Sequence, residues 1–356
     1  MHFIHESAAP RVVFGRGSVA RVSEEVDRIG AQRVLLIGNP GRAGIQLVLA
    51  GTLEPHVVGI VTRVQEHVPV HVAEEAAEQA ASVKADLLLP VGGGSAIGIA
   101  KAVARRTGLP ILAVPTTYSG SEMTPIWGET EDQVKVTGRD CALVPRTVVY
   151  DPDLSESMPA DLRATSGLNA LAHCAEAMSD PGCSPLIKAA AVEGARALAR
   201  GLRCRQDAPE DATAPEDILY GAWLAGLALA GASTGLHHKL CHVIGGQQQL
   251  PHGGLHSVLL PYVLAYQEPA AAGALDRFAS AVGHGSAAGA VWDLGRSLGT
   301  PASLSAIGFQ RSGTQDVIDA VMAAPPTGPR SVEPGALSEL LEWAVLGLPP
   351  HGPTDN

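Results

Sequence analysis

The chain lacks several patterns that would each define a class of protein. Its cysteines show no CxxC spacing, which excludes a zinc ribbon and a disulfide framework and predicts reduced thiols. No basic run occurs and the net charge is −11, so we expect no nucleic-acid partner. No apolar run reaches the length of a membrane span, and the first residues lack the pattern of a signal peptide. These absences predict a cytoplasmic protein that does not associate with membranes.

The 356 residues, of which 46% are hydrophobic, suit two domains with sizeable cores. Over residues 1–152 short β-rich runs alternate with helical stretches, which predicts an α/β domain with a mostly parallel, Rossmann-like sheet. Residues 153–356 are rich in Ala and Leu with helical periodicity and predict an all-helical second domain. The predicted strands are 11–14, 33–38, 57–63, 86–91, 111–116 and 147–152, and the predicted helices are 17–29, 71–84, 95–107, 160–205, 212–248, 252–283, 286–299 and 313–347.

A glycine loop follows the fourth predicted strand. In ADLLLPVGGGSAIGIAKAVA the strand leads directly into Gly92, Gly93, Gly94 and Ser95, and a helix follows. Glycines let the backbone approach a pyrophosphate, and a helix N-terminus attracts its charge. Ser95 suits the N-cap, and the glycines suit a positive φ. Because the spacing is not GxGxxG, the alternative is a glycine turn that serves packing alone.

A second loop, PTTYSGSEMT, follows the next predicted strand and contributes Thr116, Thr117 and Ser119. Two successive strand ends form a crevice at the carboxyl edge of a sheet, where α/β proteins bind ligands. We therefore predict a nicotinamide nucleotide at these loops. Asn39 follows the strand at 33–38, where an acidic residue would exclude a 2′-phosphate, so its neutral side chain predicts the use of both NADH and NADPH.

Five of the thirteen histidines lie between residues 235 and 256, namely His237, His238, His242, His252 and His256. His238 and His242 share one helix face, and Pro251 places His252 at a helix start that faces the same space. Imidazoles that converge on one pocket bind a metal or transfer protons near neutral pH. His237 lies about 100° from His238 around the helix, so we expect His237 and His256 outside the catalytic group. Isolated surface or core histidines are the alternative.

Five sequence strings resemble those of the iron-dependent (group III) alcohol dehydrogenase family: GGGSAIGIAKA, PTTYSGSEMTPIWG, TSGLNALAHCAE, HHKLCHVIGG and LPHGGLHSVLLPY. The resemblance runs from about residue 10 to residue 347 and is strongest to the branch that reduces maleylacetate to 3-oxoadipate in the breakdown of aromatic compounds. It implies a dinucleotide-binding α/β domain, a helical domain, an active site in the cleft between them, and NADH or NADPH as cofactor. It also matches Lys135 to a family lysine near the ribose, although an exposed turn residue is the alternative.

The resemblance implies where the family's metal would lie. Its ligands, one Asp and three His, match Asn169, His173, His238 and His252. Asparagine offers only a neutral carbonyl, whereas a carboxylate suits Fe²⁺ or Zn²⁺ far better. We therefore expect a vestigial metal site that works without a metal, with Asn169 and His173 contacting the substrate instead.

The implied substrate is an enone dicarboxylate. Hydride addition to the carbon β to the ketone leaves an enolate, which a histidinium or another hydrogen-bond donor can stabilise. The enolate carbon then takes a proton from a nearby acid. We expect His242 and His252 to be the polarising group and the proton donor, in either order, with His238 beside them. Candidate donors to the two carboxylates are Tyr118, Ser119, Ser121, His238 and Lys239, the last of which equally suits a solvated helix position.

Two other classes of function are compatible with parts of the sequence. One is a metal-dependent alcohol or polyol dehydrogenase, or a dehydroquinate-synthase-like lyase, and Asn169 counts against both because they need the metal. The other is a non-catalytic nucleotide-binding protein, against which the clustered histidines count. Residues 2–14 are apolar and β-rich and precede the first α/β unit. We expect them to pair at an exposed sheet edge and to help form a homodimer.

Overall fold

The chain folds into two compact units. The computed structural model describes residues 3, 5–6, 9–39, 53–132 and 134–352. The chain divides between Met158 and Pro159, and Phe3, His5 and Glu6 group with the second unit. The sequence places the boundary after residue 152, whereas the turn beyond it is tied to the first unit, since Arg16 pairs with Asp153 and, at 3.0 Å, with Glu156.

The first unit contains a six-stranded parallel sheet in the order β1-β8-β5-β4-β2-β3. A separate antiparallel hairpin joins β6 to β7. The strands are β1 (Arg11–Phe14), β2 (Val34–Ile37), β3 (Val57–Val61), β4 (Leu87–Gly92), β5 (Leu112–Pro115), β6 (Ile126–Glu131), β7 (Val134–Arg139) and β8 (Thr147–Tyr150). Each of the six predicted strands is confirmed to within two residues at either end. β2, β4, β5 and β8 lie inside the sheet, and every residue of these strands except the half-buried Gly92 is buried, as in the central strands of a parallel sheet when both faces are covered.

Three helices belong to the described part of this unit: α1 (Val22–Ile29), α2 (Val70–Ser82) and α3 (Gly94–Thr107). The predicted helix over 17–29 begins instead as a 3₁₀ turn at Ser18–Arg21. α3 is Ala-rich and buries one broad face, so it packs closely on the sheet. Because α3 starts at the carboxyl end of β4, the glycine loop lies at the edge of the sheet where ligands bind in α/β folds.

The second unit is helical throughout its described residues, which confirms the predicted fold class. Its helices are α4 (Ala160–Ser179), α5 (Pro185–Asp207), α6 (Thr213–Gly231), α7 (Leu236–Gln248), α8 (His252–Val282), α9 (Ala287–Ser297), α10 (Thr314–Ala323) and α11 (Pro334–Leu346). No single helix in the described ranges is long and apolar enough to cross a membrane, although α6 and α7, bent by 93°, pass that test as a pair on length and composition.

Three long predicted helices are each two helices in the structure. The stretch 160–205 breaks at residues 180–184, where the Asp180 carboxylate accepts the Gly182 N–H and Ser184 caps α5 by accepting the Ile187 N–H. The stretch 212–248 breaks before Gly235, the N-cap of α7. The stretch 313–347 breaks at residues 324–333, between α10 and α11. The apolar residues keep a helical period across each break, because both helices of a pair bury an apolar face. The period therefore does not reveal where one helix ends, and the capping residues are the better signal of a helix end.

Candidate functional site

The glycine loop ends in a helix N-terminus that has no side-chain cap. Gly93 is the N-cap of α3 with φ −84°, and the first backbone hydrogen bond of the helix runs from Ile97 N–H to the Gly93 carbonyl at 3.2 Å. The N–H groups of Gly94, Ser95 and Ala96 therefore precede the helical ladder, as donors to an anion would. Two expectations are wrong: Ser95 lies in the first turn rather than at the N-cap, and Gly92, Gly93 and Gly94 all avoid positive φ.

The glycine loop and the second loop pack directly against each other. Gly92 pairs with Pro115, and the Thr116 N–H donates to the Gly92 carbonyl at 3.0 Å. A Cβ on Gly93 would lie 2.9 Å from both Oγ1 and Cγ2 of Thr117, and a Cβ on Gly94 would lie 3.2 Å from the Ser119 Cβ. A Cβ atom essentially never lies within 3.0 Å of another side chain, so the 2.9 Å distance means that loop packing requires glycine at position 93, whether or not a phosphate also approaches. The packing and nucleotide interpretations of the loop are therefore compatible.

A buried lysine on α3 holds the second loop in place. The Lys101 ammonium donates to the carbonyl oxygens of Ser121, Thr124 and Ile126, each at 2.7 Å, and to Thr124 Oγ1 at 3.2 Å. Burial lowers the pKa of Lys101 to about 7, whereas three carbonyl acceptors favour the charged form. Lys101 is not among the site residues predicted from the sequence. A lysine among alanines on the buried side of a helix is the sequence feature that indicates its role.

A second buried charge lies beside Lys101. The Tyr150 hydroxyl donates to Glu122 Oε1 at 2.7 Å and the Ser119 hydroxyl to Oε2 at 3.4 Å. Burial raises the pKa of Glu122, while the Tyr150 hydrogen bond and the nearby Lys101 charge act in the opposite direction. Glu122 thus fixes the Ser119 hydroxyl of the second loop.

The other predicted residues of the first unit have varied exposure. Tyr118 is buried, and Ser121 is half-buried at the start of a 3₁₀ turn, Ser121–Met123. Asn39 is exposed just beyond β2, and Pro40 after it lies outside the described residues. Lys135 is exposed on β7 opposite Thr130 in the β6–β7 hairpin, with its Cε near Gly128.

In the second unit one face of α4 carries three buried polar side chains, Asn169, His173 and Glu176, at i, i+4 and i+7. Asn169 Oδ1 and His173 Nδ1 are buried and have no hydrogen-bond partner within the described chain. Buried polar atoms without a hydrogen-bond partner are rare in native structures, and they occur where a ligand or water supplies the missing hydrogen bond. The His173 ring stacks on that of His238, with centroids 5.2 Å apart.

Six imidazoles form one cluster on α4, α7 and α8. His238 has ring centroids 5.2, 6.0 and 5.0 Å from those of His173, His242 and His256. The His252 centroid lies 4.3 Å from that of His256. His242 and His252 are exposed and Lys239 is half-buried. The structure therefore brings the three predicted catalytic histidines together with His173.

His237 and His256 also lie in this cluster. Both are fully buried, and His237 Nε2 lies 2.9 Å from His256 Nδ1. That they lie outside the catalytic group stays a prediction. Burial holds the pKa values of His173, His237 and His256 well below the ordinary range, so these three rings are neutral.

The family's metal positions can be tested against this geometry. One group of side chains in the described chain has its potential ligand atoms all within 4.8 Å of one another: His237, Cys241 and His256. The family positions His173, His238 and His252 do not form such a group. The fourth family position, Asn169, offers a neutral amide oxygen. Asn169 supplies no negative charge, and the ligand atoms of His173, His238 and His252 do not all lie within 4.8 Å of one another, so these four positions fit a divalent cation poorly in this structure.

Comparisons with known proteins agree with the fold and the sequence motifs. Residues 9–152 match the model of the iron-containing alcohol dehydrogenases, and residues 163–345 match that of the C-terminal domain of the Fe-containing alcohol dehydrogenase family. The chain is 44% identical over 348 residues to a maleylacetate reductase of Burkholderia cepacia, covering 98% of this chain and 99% of that protein. The crystal structure of maleylacetate reductase from Agrobacterium tumefaciens is similar with a TM-score of 0.93 and 40% identity, covering 98% of this chain and 100% of that one. That from Rhizobium sp. strain MTP-10005 also has a TM-score of 0.93, at 41% identity, with 98% and 100% covered. The chain belongs to the iron-containing alcohol dehydrogenase family of oxidoreductases.

Proposed function

We propose that this enzyme reduces the carbon–carbon double bond of maleylacetate with NADH or NADPH to give 3-oxoadipate. The observation that carries the proposal is the imidazole cluster with a neutral Asn169 at the family's carboxylate position. Such a site can stabilise an enolate but is poorly suited to hold a Lewis acid. The identity of 41–44% over nearly the whole length with maleylacetate reductases supports the same reaction.

The residues of the first unit suit a nicotinamide nucleotide. We assign the pyrophosphate to Gly92, Gly93, Gly94 and Ser95, because the α3 N-terminus offers N–H groups without a side-chain cap. The proposed cofactor site also includes the second-loop hydroxyls of Thr116, Thr117 and Ser119. Asn39 and Lys135 are proposed to contact the ribose. When bound, the nicotinamide supplies the hydride that adds to the carbon β to the substrate ketone.

The residues of the second unit handle charge and protons. The enolate oxygen needs a hydrogen-bond donor, and the enolate carbon needs one proton, so hydride and proton together saturate the double bond. We assign these tasks to His242 and His252 because both are exposed at the edge of a cluster whose inner rings are neutral. His238 lies between His242 and the buried rings.

The two substrate carboxylates require further donors. We propose Tyr118 and Ser121 of the first unit and, in the second unit, His173, Lys239 and the Asn169 NH₂ group, while His238 acts with His242 in the catalytic group. Asn169 Oδ1 and His173 Nδ1 have no hydrogen-bond partner in the described chain. A substrate carboxylate can accept a hydrogen bond from His173 Nδ1–H but cannot donate one to Asn169 Oδ1, so an ordered water would satisfy that oxygen.

We also propose that the reaction needs no metal. The test is oxidation of NADH by the purified full-length protein with maleylacetate, compared with simple alcohols and aldehydes, before and after exhaustive chelation. We expect turnover of maleylacetate that survives chelation. Turnover of an alcohol or aldehyde alone, or activity lost on chelation and restored by Fe²⁺ or Zn²⁺, would favour the metal-dependent dehydrogenase instead.

We expect the enzyme to be a cytoplasmic homodimer. The support for a dimer is that, among the described residues, β1 is an edge strand that pairs with β8 on one side, and such an edge can pair with a second chain.

A further inference from the structure

A single buried glutamate contacts His238 at two points. Glu176 Oε1 accepts the backbone N–H of His238 at 3.2 Å, and Oε2 lies 2.5 Å from His238 Nδ1. Both side chains are buried, with 6% of Glu176 and 8% of His238 exposed. The two residues are 62 positions apart in the chain, so tertiary packing of α4 against α7 creates the contact.

The backbone contact has a role in helix formation. α7 starts at Leu236 after the N-cap Gly235, which has no side chain to accept the first free N–H groups. The Glu176 carboxylate accepts one of them from another helix, and its negative charge lies at the positive end of the helix dipole. The carboxylate is therefore held in one orientation, with Oε1 committed to the backbone.

The ring contact then sets the tautomer of His238. An ionised carboxylate can only accept hydrogen bonds, so the hydrogen must be on His238 Nδ1. The neutral ring consequently has its lone pair on Nε2, the nitrogen that Glu176 does not engage. Where a carboxylate fixes a metal-ligating histidine in this way, its mutation typically costs about 10- to 100-fold in metal affinity or activity, and we take the same scale for a histidine that acts on a substrate.

We propose that Glu176 is a positioning residue that fixes the Nδ1–H tautomer and the ring orientation of His238, so that Nε2 is held as a hydrogen-bond acceptor within the histidine cluster. This inference rests on the proposed function, in which His238 belongs to the catalytic histidines. It extends that function, because it assigns the second nitrogen of His238 to a group outside the substrate site.

Glu176→Gln tests the proposal with nearly unchanged shape. The His238 backbone N–H still requires an acceptor, so the amide oxygen takes the Oε1 position and the NH₂ group takes the Oε2 position. That NH₂ group donates to Nδ1, which forces the hydrogen of the ring onto Nε2. We expect kcat for maleylacetate to fall by about 10- to 100-fold, while the affinity for NADH stays within about twofold. Glu193→Gln is the matched control, because Glu193 forms an exposed ion pair with Arg196 on α5.

A double-mutant cycle separates positioning from a structural role. In a His238→Asn background, Glu176→Gln should lower kcat by no more than about twofold, because the ring that it positions is absent. A loss of the same factor in both backgrounds would overturn the proposal, since the glutamate would then act on the fold rather than through His238.

The tautomer itself can be observed without any turnover. Nitrogen-15 NMR of the histidine-labelled full-length protein, with His238 assigned from the His238→Asn variant, should show a change from the Nδ1–H to the Nε2–H tautomer in Glu176→Gln. An unchanged His238 signal would overturn the proposal. If the wild type fails to reduce maleylacetate but the tautomer changes, the proposed function is wrong and the positioning role stands.

Discussion

Lys101→Met should loosen the second loop, because it removes the donor that three backbone carbonyls share. Methionine keeps the apolar length of the side chain and loses the ammonium, whose hydrogen bonds to Ser121, Thr124 and Ile126 measure 2.7 Å. The Ser121 carbonyl keeps a second donor, since the Thr124 N–H also donates to it at 3.2 Å. The Thr124 and Ile126 carbonyls therefore lose the lysine without such a second donor.

The magnitude follows from those two carbonyls. A buried acceptor left without a partner costs about 1–3 kcal/mol, which gives about 2–6 kcal/mol for two. Methionine avoids the desolvation of a buried ammonium, and this offsets part of the loss. We expect the free energy of unfolding of the first unit to fall by about 2–4 kcal/mol. Affinity for NADH should fall as well, because Ser119 and Thr117 belong to the loop that is released.

The measurement is urea unfolding monitored by Trp127, which lies on β6 next to this loop, with the other three tryptophans replaced by phenylalanine in every variant. Lys84→Met is the control, because Lys84 is an exposed lysine of the same unit. Its unfolding midpoint should match that of the parent. The reasoning is refuted if Lys101→Met unfolds within about 0.5 kcal/mol of the parent, the usual range for a surface substitution.

Four further outcomes are expected. Gly93→Ala should abolish nicotinamide binding, and Gly93→Ala/Thr117→Ala, which restores space beside the new Cβ, should still bind poorly; recovery in the double variant would mean that the glycine serves packing alone. His242→Ala and His252→Ala should each lower kcat by roughly 10² or more with NADH affinity unchanged, whereas normal turnover in both would remove them from the mechanism. His237→Leu should lower stability by about 1–3 kcal/mol in thermal unfolding, because leucine cannot form a hydrogen bond and His256 Nδ1 loses its partner at 2.9 Å; an unchanged Tm would contradict this. Deleting residues 1–13 removes most of β1 and should give monomer or aggregate in size-exclusion chromatography with light scattering, and a well-behaved dimer would count against the edge-pairing hypothesis.

Several features could be predicted from sequence because neighbouring residues determine them. Alternating apolar runs and helical stretches locate the strands and the helical unit, since burial periodicity is a local property. The spacing of His238 and His242 places both on α7, and Pro251 marks the start of α8 at His252, because helix geometry and proline stereochemistry act over a few residues. The neutral Asn169 at the family's carboxylate position is visible in the sequence itself.

Other features depend on which helices meet, and that is decided by the tertiary structure. Lys101 has its three acceptors 20 to 25 residues away, Glu176 meets His238 across 62, and His237 meets His256 across 19. No periodicity encodes these pairs, because each requires two elements to pack in one particular register. The sequence by itself determined the elements, the glycine loop and the identity of the exposed histidines. Only the packed structure decided which buried charges hold them in place, because a buried lysine or glutamate is stable only where distant backbone and side-chain groups converge to satisfy it.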